Sequence, residues 1–381
     1  MKRVLRMVLS VVMIVIIFLG LNAYIGWNIY VFKAHYTESM SPIWFTIVFT
    51  ILVFSYLIGR WGKHNPVGRL LKVIGSYYLA LMEFMIILLP FADISAWILK
   101  RVGYTEGYYI PVVGWTTIIL LVILFIWGSY NAWSPILRTY HVPIAKKASG
   151  NRKLTIAVAS DIHLGNIVGN RHLKRLIKGI NQMEPDLILL PGDIIDDSIE
   201  PFMRNSMANS LKQLHATHGV YAVLGNHEYY GGNIEQYIQE MSLIGIRVLR
   251  DESVTLANVD IIVAGRKDKS AESMDPEGRV SMNKLLEHLD QSRPIVVMDH
   301  QPYGFQQAAE AGADILLCGH THRGQFAPNH WITRRLFELD WGYMLKQRMH
   351  VVVSSGFGTW GPPIRLASRS EIIRLDVELE G

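Results

Sequence analysis

The sequence predicts a helical membrane module of about four spans followed by a larger α/β domain. Two observations carry that prediction. Apolar runs of membrane-spanning length are confined to the first third of the chain, and beyond residue 150 short apolar stretches recur, each ending in Asp, Asn or His. Charge divides the same way: residues 1–150 hold thirteen Lys and Arg against four Asp and Glu, and the remainder hold twenty-four against twenty-eight. The net charge of +5 therefore belongs to the apolar part, where basic residues flank hydrophobic runs as they do beside membrane spans. The second part carries no basic patch with interleaved aromatics, so nucleic acid is not an expected partner. One cysteine, Cys318, excludes an intrachain disulfide, and its neighbours Leu316 and Leu317 predict a buried thiol.

The first run, Met7 to Phe32, is longer than a signal-peptide core and lacks a small-residue cleavage pattern, so it reads as a retained span. Runs at Pro42–Gly59, Val73–Ala92 and Ile110–Tyr130 each approach the ~20 residues that cross a bilayer core. Trp27, Trp44, Trp61, Trp97, Trp115 and Trp127 lie near the run ends, where interfacial aromatics belong. Lys2, Arg3 and Arg6 precede the first span, and Arg60, Lys63, Arg69 and Lys72 separate the second from the third. Arg138, Lys146, Lys147, Arg152 and Lys153 follow the fourth, whereas the other two connections hold only Lys33 and the pair Lys100 and Arg101. By the positive-inside rule both ends are cytoplasmic, which predicts a multi-pass plasma-membrane protein with its second domain inside the cell. Glu83 and Asp93 are acids at or near membrane depth, open to a functional role or to simple interhelical bonding. We expect the membrane module to occupy residues 1–134, a linker with an edge strand 135–153, and the second domain 154–381. Pro135, Pro143, Ser149 and Gly150 mark that linker.

The second domain opens on the apolar, β-branched run Leu154–Ala159, which stops at Asp161 and His163. Two residues apart on extended chain, these side chains point the same way, and a carboxylate beside an imidazole begins a transition-metal site. A helix over Arg171–Met183 leads to a second strand, Leu187–Leu190, ending in Gly192-Asp193-Ile194-Ile195-Asp196-Asp197. Further strands at Val220–Leu224, Ile295–Met298 and Ile315–Leu317 end in Gly225-Asn226-His227-Glu228, Asp299-His300-Gln301-Pro302 and Gly319-His320-Thr321-His322. Ligands of α/β sheets gather at the carboxyl ends of strands, so the five loops are expected to converge on one crevice.

The ordered blocks SDIHLG, GDIIDD, GNHE, DHQP and GHTH resemble the calcineurin-like metallophosphoesterase family over roughly residues 153–378. The resemblance implies a four-layer α/β sandwich, two mixed β-sheets flanked by helices, and two divalent metal ions. It assigns Asp161, His163, Asp193 and His322 to one ion and Asp193, Asn226, His300 and His320 to the other. Chemistry agrees, because two cations ~3.5–4 Å apart need a shared carboxylate, and imidazole with carboxylate suits Mn, Fe or Zn. The ions would lower the pKa of a bridging water for in-line attack on phosphorus. The resemblance makes His227 the general acid for the departing oxygen and Asp196 the residue that orients it, and Glu228 is expected to be structural. The other nine histidines read as surface, interfacial or core residues.

Departures from the family pattern bear on substrate. Protein phosphatases of the family carry Arg-Gly after the second Asp of the second block, where this chain has Asp197-Ser198, which counts against a phosphoprotein. Arg323, next to His322, is a candidate clamp for a second phosphate. The late blocks Ser354–Gly358 and Pro362–Arg365 resemble the membrane-linked branch. The expected activity is that of a membrane-bound phosphodiesterase or pyrophosphatase acting on a phosphoester substrate, with a lipid-linked headgroup as the favoured form. Two alternatives stand beside it, a nucleotide phosphodiesterase merely anchored to the membrane and an inactive sensor or scaffold. The basic residues of the linker are expected to favour an anionic membrane surface.

Overall fold

The computed structural model describes residues 2–37, 41–61, 65–147, 153–256 and 258–380. Lys63, Ser149, Gly150 and Arg152, used above to orient the chain and mark the linker, lie outside them. The chain divides into two compact units, residues 1–126 and 127–381.

The first unit contains helices α1 (Lys2–Tyr36), α2 (Pro42–Trp61), α3 (Pro66–Arg101) and most of α4 (Glu106–Trp133). All four are long and apolar enough to cross a membrane. They extend the expected runs at both ends, most of all α3, which starts with Pro66 at N1 and with Asn65 capping Gly68 N at 2.6 Å. α2 and α3 approach closely because Gly75 has no side chain: a Cβ there would stand 2.1 Å from Tyr56 N. Within this unit Asp93 accepts a hydrogen bond from Tyr24, and Glu83 is half-buried.

The second unit carries twelve strands among the described residues. They are β1 (Ile136–Lys147), β2 (Lys153–Val158), β3 (Leu187–Pro191), β4 (Val220–Val223), β5 (Ile246–Val248), β6 (Glu252–Leu256), β7 (Ile261–Gly265), β8 (Ile295–Met298), β9 (Ile315–Cys318), β10 (Gly342–Lys346), β11 (Met349–Val353) and β12 (Glu371–Glu380). One sheet runs β1-β12-β2-β3-β4-β5 and the other β10-β11-β9-β8-β7-β6, each mixing parallel and antiparallel pairs. In β3 the alternation is complete: Leu187 and Leu189 face the core between the sheets, while Ile188 and Leu190 face the helices outside. A third cluster, including Leu316 and Cys318, packs helices on the outer face of the second sheet. Helix, sheet, sheet and helix are the four layers expected.

Residues 136–147 are not a loose tether. Ile136–Ile144 pair in register with Glu371–Leu379, because Tyr140, Val142 and Ile144 alternate with polar or proline positions and deliver their side chains to the core between the sheets. Pro143 is tolerated because β1 is an edge strand. Three basic residues of the expected linker pair with carboxylates of the same unit. Arg138 Nε bonds Glu371 at 2.6 Å, Lys146 bonds Asp314 at 2.6 Å, and exposed Lys153 lies 3.3 Å from Glu378.

The last turns of α4, residues 127–133, belong to this second unit. Arg365 N donates to Gly128 O at 3.0 Å, Asn131 Nδ2 to Arg365 O at 3.1 Å, and Arg175 to Trp133 O at 2.8 Å.

Candidate metal centre

The carboxyl ends of β2, β3, β4, β8 and β9 meet at one point, and the side chains expected there are buried. Asp161, His163, Asp193, Asn226, His300 and His322 are each less than 9 % exposed, and His320 is half-buried. Leaving a strand and turning a side chain back across its end demands unusual backbone. Asp161, His163, Asp193, His320 and His322 all sit in the left-handed region, with φ from 48° to 74°. Five non-glycine residues in that conformation are a cost concentrated at one site, of order 1–3 kcal/mol each, and such strain clusters where function requires it.

Two groups of donors result. His163 Nε2 and His322 Nε2 face each other at 2.9 Å, and His322 Nε2 is 3.5 Å from Asp161 Oδ1. On the other side, His300 Nε2 lies 3.0 Å from Asp193 Oδ2 and 3.2 Å from Asn226 Oδ1, which is 2.8 Å from His320 Nδ1. Asp193 Oδ2 also stands 4.0 Å from His163 Nε2, so this one carboxylate borders both groups. Facing ring nitrogens are a poor arrangement for two imidazoles alone, and a good one for lone pairs directed at a cation. The donor set, oxygens and imidazole nitrogens without thiolate, fits a borderline divalent ion. These clusters could hold metal.

Neighbouring groups hold these side chains in place. His300 Nδ1 reaches Pro191 O at 2.8 Å, which leaves Nε2 for the cluster. His320 N donates to Asp161 Oδ1 and His227 N to Asp193 Oδ1, both at 2.9 Å. Glu228, three residues into the helix that begins at Asn226, accepts from Gly225 N at 2.7 Å, Ile195 N at 2.9 Å and Asp193 N at 3.1 Å. It locks the β3 and β4 loops together, the structural part expected of it. Gly225 must be glycine, since a Cβ would fall 2.1 Å from Asp193 Oδ1.

Burial and charge set the protonation states. Desolvation pushes His163 down to about 3 and His320 to about 4, and it drives His322 well below its ordinary value, so these rings offer lone pairs at neutral pH. Burial also raises Asp161 to about 6. For Asp193, burial is outweighed by the charges of His300 and His227 and by the His300 hydrogen bond, and the carboxylate is held well below its usual range.

His227 lies at the edge of the first group, its ring 4.6 Å from that of His163. Burial opposes its charge, yet Asp193, Asp197 and Asp196 together push it up to about 9. The carboxylate nearest Nδ1 is Asp197, at 2.8 Å, rather than the expected Asp196 at 3.7 Å. The left-handed turn at Asp197, φ 51°, brings both adjacent carboxylates to one ring. The contact is an ion pair rather than an aligned hydrogen bond, since Nδ1 has no partner in bonding geometry. Arg323 follows His322 in the same left-handed conformation and stacks its guanidinium 4.1 Å over Trp341.

Sequence patterns did not single out Asp197 or Arg365. Arg365, fully buried, donates from Nη2 to His322 Nδ1 at 3.0 Å and from Nη1 to Ser355 O at 2.6 Å and Ser368 Oγ at 2.9 Å. Its only sequence signal is the Pro-Pro-Ile-Arg block in which it stands.

Residues 154–324 match the family model described as calcineurin-like phosphoesterase. A transmembrane protein with metallophosphoesterase domain from Danio rerio is 30% identical over 68% of this chain and 61% of its own length. Its namesake from Bos taurus is 31% identical over the same shares. An uncharacterized metallophosphoesterase of Aquifex aeolicus is 30% identical over 64% of this chain and 95% of its own length. The chain thus spans about three fifths of the two vertebrate relatives.

Proposed function

Because the chain belongs to the calcineurin-like metallophosphoesterase family, we propose that it is a membrane-bound phosphohydrolase dependent on two divalent cations, cleaving a phosphodiester or pyrophosphate bond. The observation that carries this reading is the placement of Asp193 Oδ2 between the His163 and His300 rings, 4.0 and 3.0 Å away. A shared carboxylate between two groups of oxygen and imidazole donors is what a cation pair requires. Asp161, His163, Asp193 and His322 would hold one ion, and Asp193, Asn226, His300 and His320 the other, with Mn, Fe or Zn suited to both. When bound, the pair supplies positive charge to the phosphoryl oxygens and acidifies water.

The remaining chemistry belongs to the chain. His227, whose charged form the carboxylates Asp193, Asp197 and Asp196 favour, would give a proton to the departing oxygen. Asp196 and Asp197 hold the ring toward that task. Stacked on Trp341, Arg323 presents its edge N–H groups toward a second phosphate of the substrate.

For the substrate we favour a lipid-linked phosphate headgroup on the cytoplasmic side. Support comes from the four membrane-length helices, from the excess of positive charge at both ends of the first module, and from the inclusion of residues 127–133 of α4 in the catalytic unit. The test is metal analysis of the purified full-length protein, together with hydrolysis of a generic aryl phosphodiester before and after chelation. A protein that binds no metal, or one whose hydrolysis survives complete chelation, overturns the reading.

A further inference from the structure

The helix His330–Leu336 has no buried residue. Trp331, Ile332 and Leu336 are 67 %, 59 % and 68 % exposed, and Arg334 and Arg335 stand exposed beside them without an ion-pair partner among the described residues. Ile332 and Leu336, four apart, share one face of the helix, and Trp331 borders it. A soluble protein gains nothing from presenting a Trp, an Ile and a Leu on a single short helix, so such a surface marks an interaction.

This helix is not a free appendage. It follows the ligand loop ending at Gly324, and Thr333 Oγ1 ties it to Asp340 at 2.6 Å. The next residue, Phe337, packs its ring 5.1 Å from Tyr303 and 6.3 Å from His320. Gln325, five residues before the helix, bonds both the N–H and the C=O of Trp360, at 3.0 and 2.9 Å, and Trp360 is itself 55 % exposed. The Trp360 loop continues into Arg365, whose N–H bonds Gly128 near the end of α4. There Trp127 and Tyr130, 58 % and 59 % exposed, stand where a membrane helix places its interfacial aromatics.

We propose that the 330–336 helix and Trp360 form a docking face for an anionic lipid surface, continuous with the exit of the fourth span. Trp331, Ile332 and Leu336 enter the boundary between headgroups and acyl chains, and Arg334 and Arg335 pair with anionic headgroups. Exposed apolar and cationic groups together fit an anionic lipid surface, whereas a second copy of this face would set the arginines against like charge. Docking would hold the metal centre at headgroup level, because the segment starts and ends on its rim. The inference rests on the membrane helices and on this surface, not on the choice of substrate.

The test uses the full-length protein in nanodiscs of phosphatidylcholine, alone or mixed with phosphatidylglycerol. A nitroxide is placed at Leu336→Cys and, as a control, at Leu243→Cys, which is 69 % exposed in another helix. Native Cys318 is buried and escapes the label. At 336 the label should relax faster with dissolved oxygen than with an aqueous nickel chelate, and at 243 the order should reverse. Arg334→Gln with Arg335→Gln should shrink the difference at 336 in the phosphatidylglycerol discs. Aqueous accessibility at 336 equal to that at 243 in both lipids overturns the proposal, as does dipolar broadening between labels at 336 on two copies. Should lipid-linked substrates prove inert while the label still reports immersion, only the substrate reading falls.

Discussion

Arg365 and His322 meet in the interior, guanidinium Nη2 to imidazole Nδ1 at 3.0 Å, one residue from the Pro-rich loop and the other at the end of β9. A guanidinium can only donate, so Nδ1 accepts and Nε2 is turned to His163 and Asp161. Arg365 thereby fixes the orientation of a ring that would hold a cation through Nε2. Arg365→Met should therefore weaken metal binding by roughly 10–100-fold in protein that still folds. Arg365→Lys should recover little, because an ammonium cannot span the several acceptors the fork reaches. Metal titration of the two variants checks this, and unchanged affinity in Arg365→Met removes Arg365 from the site's support.

Asp193→Asn should lose both metals together. Its carboxylate borders both donor groups, so removing one negative charge weakens two sites at once. Metal counting by mass spectrometry under native conditions reads the stoichiometry. A variant with one ion missing and one retained at full affinity would disprove the sharing.

His227→Asn separates acid from ligand. Metal content should stay, while turnover of a diester with a poor leaving group falls by roughly 10²–10⁴-fold and an activated aryl ester suffers less. Asp197→Asn should reproduce more of that loss than Asp196→Asn, since it stands 2.8 Å rather than 3.7 Å from the ring. The reverse ranking would restore the assignment made from sequence.

His172 gives a pH dependence that does not involve the metal centre. Its ring stacks 4.2 Å from Phe357 and meets Trp133 edge-on at 4.8 Å. Burial lowers its pKa from 6.5 to about 4. The unfolded chain therefore binds this proton first as pH falls, and stability drops between about pH 6.5 and 4, by about 3 kcal/mol in full. Above pH 6.5 the ring is neutral in both states and contributes no slope. Thermal unfolding of the full-length protein across this range should steepen with acid, and His172→Gln should flatten the curve. An unaltered slope in the variant would assign the acid sensitivity elsewhere.

Orientation is checked by a reporter fused after residue 381. Positive-inside counting predicts a cytoplasmic signal. Activity confined to the far side of the membrane reverses the topology and with it the side on which substrate is met.

Much of this was legible in one dimension. Membrane-length helices announce themselves by length and apolarity, and a buried strand followed by Asp, Asn or His is a local pattern, so four such helices and the strand-end loops could be picked out from sequence, with the family resemblance marking seven candidate ligands from Asp161 to His322. What stayed hidden depends on long-range partners. An edge strand was expected in the linker, but its partner was not: the alternation of Tyr140, Val142 and Ile144, interrupted by Pro143, pairs with β12 from the far end of the chain. Asp196 and Asp197 are chemically alike and adjacent, and only the turn of the backbone between them decides which one approaches His227. Arg365 stands in a block noted from sequence only for its resemblance, and its contacts arise once the loop that carries it closes between α4 and His322. The sequence determined the donors, since ligand chemistry and strand ends are local properties. The tertiary structure decided what braces them, because those contacts exist only once distant segments share one interior.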